Sequence, residues 1–272
     1  MKATLRITIL GSGSSGGVPR VGGDWGACDP NEPKNRRSRC GLLVQRWSGA
    51  PGDPDQATTV LVDTSPDLRE QLLAARVPRI DAVLFSHDHA DQTHGIDDLR
   101  PIMLNKRKRV PVYMDGPTRQ TLTRRFDYCF STMHGYPAII DDAGNIEDGR
   151  VLTIDGPGGA IEAKAMAQDH GGMTSYGFRF GDVAYSNDVV ALRDDTLDSL
   201  NGVGLWIVDA LRYRPHPTHA HIEKTLGWIE RIKPRRSVLT NLHVDIDYAK
   251  ASAEMPQGVE LAFDGWSADF QV

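Results

Sequence analysis

Two imidazoles and a carboxylate fall within five residues at His87-Asp88-His89-Ala90-Asp91, directly after the apolar run Ala82-Val83-Leu84-Phe85. These residue types at this spacing suit a metal centre. His87 and His89, two apart, project to one side of a turn and can share a divalent ion, while Asp91 reaches a neighbouring one. The apolar run reads as a buried strand, so the ligands sit on the loop leaving its carboxyl end, where active sites of layered α/β proteins collect.

Short apolar segments alternating with turns supply the frame for such a loop. Strands are expected at 5–10, 42–47, 58–63, 82–86, 110–114, 160–166, 176–185, 205–209 and 237–240. Ser65-Pro66-Asp67 predicts a helix start, a capping residue followed by proline at the first helical position, with Leu68, Leu72 and Leu73 on one face. A second helix is predicted from Thr218, carrying Ile222, Leu226, Ile229 and Ile232 until Pro234 stops it. Many strands with a helix after every few of them predict two packed sheets covered by helices. No repeat or linker divides the chain, which is read as one domain over 1–272. The stretch 48–57 reads as a surface hairpin loop and 101–150 as a turn-rich insertion. Its aromatic part, Phe126 to Phe130 with His134 and Tyr136, suits either a lid over a substrate or ordinary packing.

The 272 residues carry a net charge of −5, with 31 Lys and Arg against 36 Asp and Glu. That balance argues against a protein whose main task is gripping duplex DNA or long RNA, since such affinity comes from excess basic residues. The apolar run from Leu5 to Leu10 is too short for a signal-peptide core and far too short to span a bilayer, so a cytoplasmic protein without a membrane partner is expected. Cys28, Cys40 and Cys129 are odd in number and lack C-x-x-C pairing, which indicates neither a disulfide framework nor a zinc ribbon. Gly11-x-Gly13-x-x-Gly16 matches the dinucleotide-binding fingerprint by letter, but it runs into Gly17, Pro19, Gly22 and Gly23 instead of opening a helix. It reads as a glycine turn that lets backbone approach the active site.

The order of these features resembles the metallo-β-lactamase fold superfamily. The matching pieces are His87-Asp88-His89-Ala90-Asp91, His170 in Ala167-Gln168-Asp169-His170, Asp188 in Tyr185-Ser186-Asn187-Asp188, the block Leu239-Thr240-Asn241-Leu242-His243, and Asp63 at the end of an early strand. The opening Leu10 to Pro19 and the closing Phe263-Asp264-Gly265 further resemble the phosphoribosyl cyclic-phosphate phosphodiesterases of phosphonate breakdown, relatives of the tRNA 3′-end-processing ribonucleases. The resemblance implies an α/β fold, a four-layer αβ/βα sandwich. It also implies hydrolysis of a small phosphodiester, a cyclic ribosyl or nucleotide-like phosphate, by a metal-bridging hydroxide. Alternatives left open on the same fold are a tRNA-processing endonuclease, a thioester, lactone or β-lactam hydrolase, and a non-catalytic carrier protein of cofactor synthesis. The expected partner is a small phosphorylated substrate rather than a long nucleic acid, with a homodimer left open as the assembly.

Roles follow from the resemblance. One ion would take His87, His89 and His170, three neutral nitrogens that suit zinc and leave a position for water. Asp188 would bridge to a second ion held by Asp91, and two ions about 3.5–4 Å apart lower the pKa of a shared water. The cofactor expectation is therefore two divalent ions per chain, zinc or manganese. His219 matches the histidine that the phosphodiesterase branch uses as proton donor, placed here on the first turn of the helix after Thr218, with His216 and His221 as rivals. Asp91 joins His219 in the catalytic set.

Two positions depart from the superfamily pattern, and both fall on the second ion. The usual second histidine after the aspartate is Gln92, and the usual final ligand is Asn241. On a strand end, positions 241 and 243 point the same way, so His243 is expected to take the place left, with Gln92 and Asn241 as weaker neighbours. An oxygen-rich second site would favour manganese. His94, turned about 200° from Gln92 on a helix, is placed with Arg100 and His221 on the substrate side. The phosphodiesterases also hold a structural zinc on three cysteines and a histidine. Those positions read Gly23, Trp25, Cys28 and Val244 here, so that site is expected to be gone.

Overall fold

Alternation along each strand assigns its side chains to two different layers. In Thr58–Val62, Val60 and Val62 pack toward a second sheet while Leu61 packs under helices. The computed structural model describes residues 2–272. In chain order, β1 (Thr4–Gly11), β2 (Gly41–Trp47), β3 (Thr58–Val62), β4 (Ala82–Leu84), β5 (Val110–Met114) and β6 (Ile140–Asn145) form one sheet. The strands β7 (Val151–Ile154), β8 (Ile161–Asp169), β9 (Thr174–Phe180), β10 (Val183–Ser186), β11 (Leu205–Asp209), β12 (Arg236–Thr240) and β13 (Val259–Leu261) form the other. The last strand, β14 (Ser267–Gln271), returns to pair with β1.

Three apolar layers hold this arrangement. Between the sheets lie Ile7, Leu42, Val44 and Leu84 against Ala163, Phe178, Tyr185 and Ile207. Outside the first sheet, α1 (Leu68–Ala74), α2 (Ala90–Thr93), α3 (Arg100–Lys106), α4 (Gly116–Arg125) and α5 (Asp127–Phe130) follow its strands, and Leu68, Met103 and Leu122 cover Leu61, Val83 and Val112. Outside the second sheet come α6 (Asp194–Ser199), α7 (Ile222–Ile232) and α8 (Tyr248–Glu254), where Leu197, Ile222, Ile232 and Ala251 cover Trp206, Val208 and Leu239. The result is the four-layer αβ/βα sandwich. Each sheet has a parallel half, β3 to β6 and β10 to β13. The segments just beyond β3, β4, β8, β10, β11 and β12 bear Asp63, His87 and His89, His170, Asp188, His219 and Asn241.

Several local expectations need correction. The run 176–185 is two strands, because Gly181 at φ +59 reverses the chain between β9 and β10. The second helix starts at Ile222 with His221 as its N-cap, so Thr218 to Ala220 are loop. Helix α1 begins at Leu68 rather than Pro66, and Leu73 is exposed rather than on the buried face. The segment 101–150 is no insertion into the frame, since β5 and β6 extend the first sheet through it. Within it, Tyr136 stands at the surface, 70% exposed. Among the described residues no helix is long and apolar enough to cross a membrane.

Candidate metal centre

The loop after β4 delivers His87 and His89 as its spacing predicts, and the end of β8 brings His170 to them. Their ring centroids lie 4.6, 5.1 and 5.1 Å apart, and one nitrogen from each lies within 4.8 Å of the others. Hydrogen bonds select which nitrogen faces inward. A carbonyl only accepts, so His170 Nδ1 donates to Thr218 O at 2.7 Å and Nε2 keeps its lone pair. Ser86 Oγ donates to Asp63 at 2.7 Å and therefore accepts from His87 Nδ1 at 2.9 Å, which leaves His87 Nε2 as the lone-pair atom. That Nε2 is buried without any hydrogen-bond partner, a state that costs free energy unless a ligand completes it.

The donor set fits a divalent ion. A tetrahedral site with Zn–N near ~2.05 Å places its nitrogens about 3.3 Å apart, and His170 Nε2 lies 3.4 Å from His89 Nδ1. Burial lowers the His87 pKa well below its ordinary value and, with the nearby histidines, that of His170 to about 4, so both rings are neutral at pH 7, the form that can donate a lone pair to an ion. Asp63, at φ +64, holds the Ser86 backbone N–H and hydroxyl at 2.7 Å each and so orients the chain of contacts behind His87.

Beside the imidazoles sits a second group. One atom each from His170, Asp188 and His219 come within 4.8 Å of one another. Asp188 is 3% exposed and accepts from Gln92 Nε2 at 2.9 Å, Asn187 Nδ2 at 2.7 Å and Asn241 Nδ2 at 3.2 Å. His219 Nδ1 donates to Asp209 Oδ2 at 2.8 Å and lies 3.5 Å from Asp188. Burial of the His219 ring disfavours its cation, yet Asp209, together with Asp188 and Asp91, pushes its pKa up to about 9. Asp63, Asp188 and Asn241 all take left-handed φ, at 64°, 50° and 64°, just beyond strands β3, β10 and β12. Asp and Asn tolerate that region best among residues with a Cβ, and such outliers gather where chemistry is done.

His243 requires correction. The alternation argument assumed that the strand continues through 241, whereas β12 ends at Thr240 and Asn241 reverses the backbone. Asn241 consequently turns into the site, and His243 turns away to contact Arg20 and, at 3.2 Å, Asp245. Loop 241–242 is held there by the glycine turn, with Leu242 N donating to Ser12 O at 2.8 Å and Gly13 bridging to Leu242 and Arg39. A Cβ on Gly13 would lie 2.9 Å from Ser38 O, so the turn needs its glycine for close approach. His243→Ala is expected to leave the bound-metal content of the protein unchanged by elemental analysis; loss of an ion would return His243 to the ligand set.

The substrate-side residues divide. His94 lines a cleft of about 520 Å³ with Asp88, His89, Ala90, Arg125 and Phe126, its ring edge-on to Phe126 at 5.4 Å. Arg100 does not line this cleft. It pairs with Asp97 at 2.7 Å and faces the Tyr128 ring in a separate pocket of about 350 Å³ with Met133, His134 and Tyr136. His221 stands at the N-cap position of α7 without a side-chain capping bond and belongs to neither histidine group. His216 stays beside His219, with ring centroids 5.1 Å apart. Cys28 is packed with Val18, Trp25 and Val244, and its thiol donates to the Val244 and Ile246 carbonyls. Two residues of the site were missed. Asp209 ends an apolar strand in the same way as Asp63, a signal that could have found it. Arg125, which donates to Asp88 O at 2.9 Å, carried no signal, because only folding brings α4 to the metal loop.

Residues 58–241 match the family described as the beta-lactamase superfamily domain. A curated relative from Porphyromonas gingivalis (strain ATCC BAA-308 / W83), named an octanoyltransferase, is 28% identical over 268 residues, covering 97% of this chain and 51% of that protein. The chain thus spans about half the length of that relative. Among solved structures, a diphosphatase from the PhnP family is 30% identical with a TM-score of 0.87, covering 100% of this chain and 99% of that one. Zinc-bound PqqB from Methylobacterium extorquens, at 18% identity and a TM-score of 0.69 over 97% of this chain and 100% of its own, shares the fold.

Proposed function

We propose, from the premise that this chain belongs to the beta-lactamase superfamily, that it is a metal-dependent hydrolase cleaving a small phosphodiester. The observation that carries the metal dependence is the buried, partnerless Nε2 of His87 beside the nitrogens that His89 and His170 turn to the same point. Zinc suits these three imidazoles. A divalent ion there supplies a lowered pKa for water and charge to offset that on a phosphoryl oxygen. The phosphodiester is favoured by the full-length likeness to a PhnP-family diphosphatase. The octanoyltransferase relative is about twice as long, so its activity is that of a larger protein.

The remaining steps fall to the chain's own residues. His219 carries the proton for the leaving oxygen: Asp209 fixes its Nδ1, which leaves Nε2 for delivery, and a raised pKa keeps the ring protonated near neutrality. Its side chain is 17% exposed, enough to regain a proton from solvent, whereas Asp209 is fully buried and serves to orient. His94 and Arg125 line the cleft where a phosphate would lie, with Arg125 suited to bind it. A cytoplasmic setting belongs to this reading, in keeping with three buried free thiols.

Bis(p-nitrophenyl) phosphate tests it, since activated aryl esters ask little of a substrate pocket. Hydrolysis lost on chelation and restored by Zn²⁺ or Mn²⁺ is expected. Strong turnover of an octanoyl thioester or a β-lactam without phosphodiesterase activity would replace this reading.

A further inference from the structure

We infer that this chain binds a single ion, at His87, His89 and His170, and that the amides of Gln92, Asn187 and Asn241 clamp Asp188 in place of a second. This rests on the metal-dependent reading above and concerns how many ions serve it.

Both oxygens of Asp188 are engaged by uncharged N–H donors. Oδ2 accepts from Gln92 at 2.9 Å and Asn187 at 2.7 Å, and Oδ1 accepts from Asn241 at 3.2 Å. Gln92 and Asn241 are each 1% exposed. An amide nitrogen that donates a proton has no lone pair for a cation, so each presents to the carboxylate the opposite of what a metal ligand presents. No other imidazole makes up the difference among the described residues. His243 faces Arg20 and Asp245, and although His219 lies within reach of Asp188 and His170, the nitrogen it turns to Asp188, Nδ1 at 3.5 Å, is the one that donates its proton to Asp209. A second ion would keep Asp91 and Asp188 as carboxylate ligands and would need both amides turned over, giving up two charge-assisted hydrogen bonds. The left-handed backbone at Asn241 aims its side chain at Asp188, so the clamp is held by the main chain as well as by side chains.

Counting ions in the whole protein decides the matter without reference to activity. Apoprotein prepared by chelation is dialysed to equilibrium against graded Zn²⁺, and separately Mn²⁺, and its metal content is measured by mass spectrometry. One equivalent per chain is expected, with any second bound roughly 100-fold more weakly, the scale on which shells around a metal tune affinity. Two equivalents with affinities within tenfold of each other would overturn the inference while leaving the hydrolase reading intact. No bound ion at all would defeat both. The double variant Gln92→His, Asn241→His restores two nitrogen donors and is expected to take up a second equivalent. A folded double variant that still binds one would show that the amides are not what excludes the second ion. Should it not fold, the wild-type count stands as the decisive measurement.

Discussion

His219→Ala is expected to lower turnover by roughly 10²–10⁴ for phosphodiesters with poor leaving groups, the range for losing a positioned general acid, and by much less for aryl esters. The difference is diagnostic because a nitrophenolate departs without a proton, whereas an alkoxide does not. Metal content should be retained, since His219 spends its Nδ1 on Asp209 and the three-imidazole group does not include it. Asp209→Asn should give a partial form of the same phenotype. The amide keeps the shape and an oxygen to accept from Nδ1 but no longer supports the ring's charge, so the loss should again be concentrated in substrates with poor leaving groups. Equal loss for both substrate types, or loss of the ion, would give His219 a different task.

The second large effect is expected at His87→Ala. Removing the partnerless Nε2 takes one of three nitrogens from the ion and leaves a small buried cavity where the ring stood. Bound metal should fall to a small fraction of wild type at micromolar Zn²⁺, and phosphodiesterase activity by roughly 10³-fold or more, as several kcal/mol of charge stabilisation go with the ion. Far-ultraviolet circular dichroism should be preserved, because the sheets are held by the three apolar layers and not by this loop. Ser86→Ala reports the outer shell alone. It breaks the link from Asp63 to His87 Nδ1 and should weaken metal binding by about 10- to 100-fold. Full metal retention in His87→Ala would place the ion elsewhere.

Much of the frame was legible in residue order because its signals are local. The short apolar runs within 58–63 and 205–209 need only neighbouring residues to declare a strand buried on both faces. The pair His87 and His89 declares itself by a spacing of two. Elements with weaker signals escaped. In β6, Ile140-Asp-Asp-Ala-Gly-Asn145 has four exposed residues, and β14 alternates between exposed and half-buried ones, so neither offers the apolar run by which a strand is read. The start of α7 was misjudged by four residues because Thr218 is a good capping residue, while the structure uses its carbonyl to hold His170 instead.

By itself the sequence determined the layered α/β frame, the loop bearing His87, His89 and Asp91, and the absence of imidazole at positions 92 and 241. Those are consequences of short-range pattern and of residue identity. Tertiary structure alone decided that Asn241 and not His243 enters the site, that Asp209 stands behind His219, and that Arg100 belongs to a different pocket. Each depends on where segments distant in sequence converge. Asn241 meets Asp188 across 53 positions, and Gln92 meets it across 96. The deciding event is a single left-handed residue at the end of β12, which reverses the side-chain alternation that strand periodicity presumes. Asn is compatible with that conformation, but only packing against the glycine turn, through Leu242 and Ser12, selects it.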